Sequence, residues 1–127
     1  MKDHIQMVAD FHNAFKVPVE DEPKIPAKER CELRYKLIRE ELEEFKQACE
    51  DGDLVEVADA LTDLQYVVFG SVLEFGLQDK FISLFTEVQR SNMSKLDEKG
   101  KPIFREDGKV LKSELWSPPN LKKILDE

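Results

Sequence analysis

Residues 39–63 read Arg39-Glu-Glu-Leu-Glu-Glu-Phe-Lys-Gln-Ala-Cys-Glu-Asp-Gly-Asp-Leu-Val-Glu-Val-Ala-Asp-Ala-Leu-Thr-Asp63, and they contain the junction of two helices. Gly52 suits the end of the first helix, because glycine readily adopts the left-handed conformation found at helix C-termini. Asp53 can cap the next helix, with Glu56 at the third position of a capping box. The pattern therefore predicts one helix from about Ala27 to Gly52 and another from Leu54 to Gly76.

Apolar residues at helical spacing predict the position of these two helices in a core. The main apolar stripe of the first helix is expected at Leu37, Ile38, Leu42, Phe45 and Cys49. The second helix has an apolar series that we expect to face the same core. The members of that series are Leu54, Val57, Leu61, Leu64, Val68, Val72 and Phe75.

The segments on either side extend this helical pattern. A helix over Asp3–Phe15 is predicted from Ile5, Val8, Phe11 and Phe15, which we expect to form its buried apolar face. Prolines then predict an extended connection before the central pair of helices. The connection contains Pro18, Pro23 and Pro26.

The C-terminal part of the chain begins with a fourth helix and then changes character. Asp79 is expected to cap the fourth helix, which carries Ile82, Phe85 and Val88. Residues 102–111 predict a small hairpin that turns at Asp107-Gly108. Ser117-Pro-Pro119 predicts the start of a short terminal helix. The expected fold is all-α, a four-helix bundle with a short, partly extended C-terminal tail.

Length and charge limit the function. A chain of 127 residues suits a single domain, 1–127, with the tail over 97–127 packing on the bundle. The 19 basic and 27 acidic side chains give a net charge of −8, which argues against binding to DNA or RNA. A small phosphorylated ligand remains compatible, provided that a metal supplies positive charge. The two cysteines, the lack of a long apolar run and the polar start at Met1 predict a cytoplasmic protein with reduced thiols and no membrane contact.

Acidic residues on the two central helices form the pattern that most strongly indicates a chemical function. Glu40 and Glu44 share one face of their helix, with Glu41 beside them, and Leu33, Leu37 and Ala48 lie above and below on that face. The next helix adds three acids at spacings that place them on one face. They are Glu56, Asp59 and Asp63. Crowded carboxylates repel one another unless a cation binds, and Mg²⁺ prefers carboxylate oxygen.

Two interpretations of these acids stay open. A charged protein also carries acidic helix faces that are simply solvated. Glu56 is explained equally well by its capping-box position and by metal binding. Glu43 points away from the other acids and is expected to be solvated.

Glu40-Glu41-Leu-Glu-Glu44 followed by Glu56-Val-Ala-Asp59 resembles the E-E-x-x-E … E-x-x-D signature of the all-α nucleoside triphosphate pyrophosphohydrolases. This superfamily includes MazG-like enzymes, dimeric dUTPases and phosphoribosyl-ATP pyrophosphohydrolases. Further stretches of the chain resemble a MazG-like branch labelled phosphoribosyl-ATP pyrophosphohydrolase-like. They are residues 11–15, 63–70, 87–95, 107–109 and 117–119. If Asp63 is the aspartate of the signature, the signature glutamate falls on Ala60, which cannot bind a metal.

The resemblance implies hydrolysis of a nucleoside triphosphate at the α–β phosphate bond to a monophosphate and pyrophosphate. Mg²⁺ is the implied cofactor, with Mn²⁺ as the alternative. Glu41 and Glu44 are the implied catalytic residues, and Glu41 orients or deprotonates the attacking water. The expected role is clearance of unwanted nucleotides. The expected metal ligands are Glu40, Glu41, Glu44, Glu56, Asp59 and Asp63.

The expected substrate contacts lie in several parts of the chain. Lys95 and Lys109 are candidates for phosphate binding, and the Asn92 amide for reading a base or sugar. His12 is open to both stacking and core interpretations, and Tyr66 either packs in the core or borders the pocket. The predicted set is His12, Tyr66, Arg90, Asn92, Lys95 and Lys109.

The expected assembly is a homodimer or a dimer of dimers, because a single bundle leaves an apolar face of the third or fourth helix partly uncovered. The resemblance to the family implies that dimerisation covers this face. Two other functions stay open: phosphoribosyl-ATP hydrolysis in histidine synthesis, and a non-enzymatic helical binding module whose acids are only surface.

Overall fold

The computed structural model describes residues 1–127, and its secondary structure is mainly helical. The fold class is therefore all-α, as predicted, and the first three helices begin and end within two residues of their expected bounds. No helix is both long enough and apolar enough to span a bilayer. The elements are α1 Lys2–Ala14, α2 Lys28–Asp51, α3 Leu54–Glu74, α4 Phe81–Met93, β1 Ile103–Phe104, β2 Val110–Leu111 and α5 Leu121–Leu125.

The chain forms two compact units, Met1–Asp79 and Lys80–Glu127. The first unit contains α1, α2 and α3, and the second contains α4, the two strands and α5. The expected single domain over 1–127, with the tail over 97–127 packed on the bundle, stays a prediction.

The junction between α2 and α3 forms because two successive residues have different backbone preferences. Gly52 adopts a φ of 66°, in the left-handed region, and its N–H donates to the carbonyls of Ala48 and Cys49. Asp53 then caps α3, its carboxylate accepting the Glu56 N–H at 3.2 Å. The reciprocal capping-box bond is absent, since the Asp53 N–H donates to Ala48. The capping role predicted for the Glu56 side chain is therefore wrong.

Helix α1 buries Ile5 and Val8, as predicted, but the rest of its inner face differs from the prediction. Its buried residues are Ile5, Val8, Ala9 and His12, which repeat at helical spacing. Phe11 and Phe15 were expected in the core, but they are 41% and 67% exposed. The expectation for these two rings is wrong because His12, one residue further round the helix, occupies the inner face.

Helix α2 also turns an unexpected face inward. Its buried residues are Arg34 and Ala48, while Leu42 and Cys49 of the predicted apolar stripe are exposed. The stripe was therefore wrong in part. The buried face lies on the side that carries Glu41, because Arg34 and Glu41 are seven residues, or about two turns, apart.

The second unit departs from the predicted start of both its helices. Helix α4 begins after Lys80 without a side-chain cap, so the cap predicted at Asp79 is wrong. Helix α5 begins after Asn120, whose side chain accepts the Lys123 N–H at 3.3 Å. The predicted start at Ser117-Pro-Pro119 was too early, because Ser117 and Pro118 instead offer their carbonyls to side chains of α4.

The predicted hairpin in the second unit is confirmed. Strands β1 and β2 pair antiparallel, with Ile103 opposite Leu111 and Phe104 opposite Val110. Gly108 has a φ of 89°, which explains why glycine stands at the turn. The Asp107 carboxylate accepts the Lys109 N–H at 3.1 Å and thereby fixes the turn.

Candidate metal centre

Three carboxylates from α2 and α3 meet at one point of the first unit. Glu41, Glu44 and Asp63 each offer an oxygen, and these oxygens all lie within 4.8 Å of one another. Glu41 and Glu44 are three residues apart on α2, so both project toward the same side of that helix. Asp63 faces them from α3. We call these three side chains the carboxylate cluster.

The carboxylate cluster brings negative charges together without a positive side chain to balance them. The pKa of Glu41 is raised to about 7, mainly by burial, then by a hydrogen bond to the Glu44 carboxyl and by the charges of Glu44, Asp63 and Asp59. The pKa of Asp63 is raised by burial and by the charges of Asp59 and Glu44. No basic side chain contributes to either shift. The protein alone leaves this charge uncompensated.

An unsatisfied atom indicates what the carboxylate cluster lacks. Glu41 Oε2 is buried and has no hydrogen-bond partner. A buried oxygen without a partner is costly, and a carboxylate oxygen can bond only to a hydrogen donor or to a cation. Oxygen-only donors at this spacing fit a hard divalent cation such as Mg²⁺, whereas zinc favours sulfur and nitrogen.

The other predicted ligands are not part of the carboxylate cluster. Asp59 is exposed, but its charge reaches both Glu41 and Asp63. Glu56 is exposed in the first turn of α3. Glu40 is exposed on α2, where it lines an open groove of about 360 Å³ together with Glu44 of the cluster. Metal binding by these three acids stays a prediction.

Two predicted substrate contacts lie in the first unit in contrasting environments. His12 is 2% exposed, and its Nδ1–H donates to the Pro18 carbonyl at 3.0 Å. This environment accounts for His12 as a core residue. Tyr66 is 39% exposed and packs edge-on against Phe11, with ring centroids 5.7 Å apart. Tyr66 therefore remains available to a ligand, and contact of either residue with substrate stays a prediction.

The remaining predicted substrate contacts lie in the second unit. Arg90 donates to both oxygens of Glu87 at 2.8 and 3.0 Å and to the Pro118 carbonyl at 3.1 Å. These bonds tie the C-terminal segment to α4 and occupy three of the five guanidinium donors. Asn92 and Lys109 are exposed, and Lys95 is half-buried. Their contact with substrate stays a prediction.

Sequence reasoning missed a buried ionic network in the first unit. Glu74 is completely buried and accepts hydrogen bonds from Arg30 and Arg34, and we call these three residues the arginine network. The available signal was Gly70 in the middle of α3, where a glycine costs about 1 kcal/mol relative to alanine. A Cβ at Gly70 would lie 2.4 Å from Arg34 Nη2, so the glycine makes room for the guanidinium.

Comparison with known proteins agrees with the all-α fold. The family model described as phosphoribosyl-ATP pyrophosphohydrolase matches residues 8–92, which is more than half of the chain and contains the whole carboxylate cluster. The protein is thus a pyrophosphohydrolase of the all-α nucleoside triphosphate pyrophosphohydrolase superfamily. Within it, the chain belongs to the phosphoribosyl-ATP pyrophosphohydrolase family. No curated protein matches the chain in sequence.

Proposed function

We propose that this protein hydrolyses a nucleoside triphosphate at the α–β phosphate bond, releasing the monophosphate and pyrophosphate. The observation that carries the proposal is the carboxylate cluster, whose oxygens lie within 4.8 Å of one another and include the unsatisfied Glu41 Oε2. Glu41, Glu44 and Asp63 would hold Mg²⁺ or Mn²⁺, with Asp59 next to them. Clearance of unwanted nucleotides is the cellular role that we propose.

The residues of the cluster have different tasks in this proposal. A bound divalent cation would neutralise charge on the carboxylates and on the substrate phosphates. Glu44 and Asp63 would contribute ligand oxygens together with Glu41 Oε2. Glu41 orients the attacking water and accepts its proton, a task open to a carboxylate that lies beside the other ligand oxygens. The proton then leaves Glu41 for solvent after the product has departed.

The nucleobase has a suitable contact surface on the same unit. Tyr66 follows Asp63 by three residues on α3, which places its ring about 4.5 Å further along the helix and about 60° round it. Phe11 and Phe15 continue this surface, with ring centroids 4.5 Å apart. Exposed aromatic rings stack on any base, so we propose Tyr66 and Phe11 as base contacts.

Phosphoribosyl-ATP is the second candidate substrate, because the matching family model is described by that activity. Its hydrolysis breaks the same type of bond, so the carboxylate cluster serves either substrate. Specificity would then depend on the residues that contact the base and sugar.

A panel assay distinguishes these functions. Purified protein with Mg²⁺ is incubated with the common and modified nucleoside triphosphates and with phosphoribosyl-ATP, and pyrophosphate release is measured. Release from one or more nucleoside triphosphates in preference to phosphoribosyl-ATP supports the proposal. The reverse preference supports the second candidate. Phosphate release without pyrophosphate, or no release at all, contradicts both functions, and the latter favours a binding module.

We also propose that the protein is a homodimer or a dimer of dimers. Several large apolar residues of α2 and α3 are exposed in the single chain, including Leu42, Leu54 and Val55. An apolar groove of about 470 Å³ lies on α2, lined in part by Leu42, Phe45 and Cys49. A second copy of the chain is the occupant that we propose. Light scattering on the purified protein would reveal a monomer if this assignment is wrong.

A further inference from the structure

The arginine network joins α2 to α3 through several hydrogen bonds. Arg30 donates to both oxygens of Glu74 at 2.7 and 2.9 Å, and Arg34 Nη1 donates to one of them at 3.0 Å. Arg34 also donates to the Ser71 hydroxyl at 3.0 Å and to the Val67 carbonyl at 2.6 Å. Arg34 therefore bonds to α3 at three positions over two turns. Because its guanidinium is a single rigid plane, these bonds fix the position of α2 relative to α3.

Stability alone does not explain a network of this kind. Buried ionic groups are often no more stabilising than apolar side chains of similar volume, because desolvation offsets their attraction. The network also requires Gly70, since any Cβ there would collide with the Arg34 guanidinium. Charged groups that must all be paired do, however, tolerate only one alignment of the two helices. The network is thus better suited to fixing the alignment than to strengthening the fold.

The alignment set by the arginine network is the alignment that forms the carboxylate cluster. Arg34 lies against Gly70, and Glu41 lies against Asp63. From Arg34 to Glu41 is seven residues forward along α2, and from Gly70 to Asp63 is seven residues backward along α3. Both contacts therefore belong to one antiparallel register. A slip of one helical turn moves a side chain by about 5.4 Å, more than the largest separation within the carboxylate cluster.

We propose that Arg34 and Glu74 are positioning residues, which hold α2 and α3 in the register that brings Glu41 and Glu44 to Asp63. They touch neither metal nor substrate, and they act through the helix alignment. The inference rests on the proposed function, because positioning matters only if the carboxylate cluster binds a metal.

The test replaces the network by apolar side chains of similar size, in the variant Arg34→Met/Glu74→Met. Ser71 still donates to the Val67 carbonyl, and the partly exposed Arg30 can turn to solvent. We expect a melting temperature in chelator close to that of the wild type. The dissociation constant for Mn²⁺, measured by calorimetry, should rise by about tenfold or more, as it does when residues that orient metal ligands are lost. Unchanged Mn²⁺ affinity in this folded variant would overturn the proposal.

A matched control separates positioning from general destabilisation. Val8→Ala removes buried volume from α1, which contributes no side chain to the network. It should lower the melting temperature while Mn²⁺ affinity stays within about twofold of the wild type, because independent sites behave additively. If this variant lost Mn²⁺ affinity as strongly as the network variant, a specific positioning role would be excluded.

A milder variant covers the case in which the double variant does not fold. Arg34→Lys keeps the charge but cannot bond Glu74, Ser71 and Val67 at once. We expect weaker Mn²⁺ binding with the fold retained, and wild-type affinity would overturn the proposal.

The yield of a thiol crosslink between α2 and α3 reports the register of the two helices without any metal. In a Cys31→Ser/Cys49→Ser background, Glu41→Cys and Asp63→Cys should be joined by a short bifunctional thiol reagent. Adding Arg34→Lys should reduce that yield, and an equal yield would overturn the positioning role. Absence of Mn²⁺ binding by the wild type would contradict the proposed function instead, and the crosslink would still decide the register.

Discussion

The carboxylate cluster and the arginine network occupy the same interface between α2 and α3, yet their carboxylates differ in whether they have partners. In the arginine network, the Glu74 carboxylate accepts three hydrogen bonds from two arginines. In the carboxylate cluster, all groups carry the same charge and Glu41 Oε2 has no partner. This difference within one helix pair is the reason that we propose the carboxylate cluster, and not the arginine network, as the ligand site.

The comparison also separates structural from functional acids in a chain rich in both. Glu74 is fully buried but has every bond that a carboxylate needs, so its environment explains it without a ligand. Glu41 is only half-buried, and its pKa is raised first by burial and then by the hydrogen bond to Glu44 and the charges of Glu44, Asp63 and Asp59. Burial alone would have selected the wrong glutamate. The missing partner is the better sign of a binding site.

The largest effect should come from breaking the arginine network on one side. Glu74→Ala leaves Arg34 buried beside a second arginine without its carboxylate, which should cost about 3–5 kcal/mol in the free energy of unfolding. Urea unfolding measures this loss. Glu43→Ala, an exposed change on α2, should stay within about 0.5 kcal/mol of the wild type. A loss at Glu74 no larger than that at Glu43 would contradict the role of the network.

The next largest effect should appear in the rate when the carboxylate cluster loses a ligand. Glu44→Gln and Asp63→Asn should each lower the rate of pyrophosphate release by about a hundredfold or more, equivalent to about 3 kcal/mol of transition-state stabilisation. Steady-state assays with Mg²⁺ measure the effect. Glu43→Gln is the matched control and should be nearly neutral. Equal sensitivity at Glu43 and Glu44 would show that the ligand face of α2 is assigned wrongly.

A smaller effect should appear in the pH dependence of the metal-free protein. The pKa of Glu41 is about 7 in the folded protein and lower in the unfolded chain, so folding retains a proton that the unfolded chain has lost. Stability in chelator should therefore fall as pH rises from about 4.5 to 7, and Mg²⁺ should reverse the loss above that range. Melting curves from pH 5 to 8 test this, with Glu41→Gln as the reference. A reference variant with the same slope as the wild type would contradict the assignment.

The smallest effects should come from the two acids at the edge of the site. Glu56→Gln should change both melting temperature and rate little, because the Glu56 side chain makes no capping bond and lies outside the cluster. Asp59→Asn should lower Mn²⁺ affinity more, because the charge of Asp59 reaches both Glu41 and Asp63. Calorimetry and rate measurements on both variants give the order. A larger loss at Glu56 would place it in the metal site.

Local sequence signals predicted the helices and one part of the site well. The Gly52-Asp53 pair fixed the junction of α2 and α3 because its backbone preferences act within a few residues. Spacing along each helix likewise indicated that Glu41, Glu44 and Asp63 face one region, and the structure places their oxygens together. Their role as ligands is still a prediction.

Features that depend on distant parts of the chain escaped sequence reasoning. Arg34 and Glu74 are forty residues apart, and each alone resembles an ordinary surface charge on a helix. The buried face of α1 was misplaced in part because apolar spacing favoured Phe11 and Phe15, whereas His12 is buried and its ring donates to the Pro18 carbonyl. Both errors have the same physical origin: a polar group can be buried when its partner is supplied by another segment.

The most direct test of the central claim is a calorimetric titration with Mn²⁺ of three proteins: the wild type, Asp63→Asn and Glu43→Gln. The account predicts saturable binding by the wild type, a similar affinity for Glu43→Gln, and a loss of about tenfold or more for Asp63→Asn. Binding to Asp63→Asn as tight as to the wild type, or no binding to the wild type at all, would contradict the claim that the carboxylate cluster is a metal site.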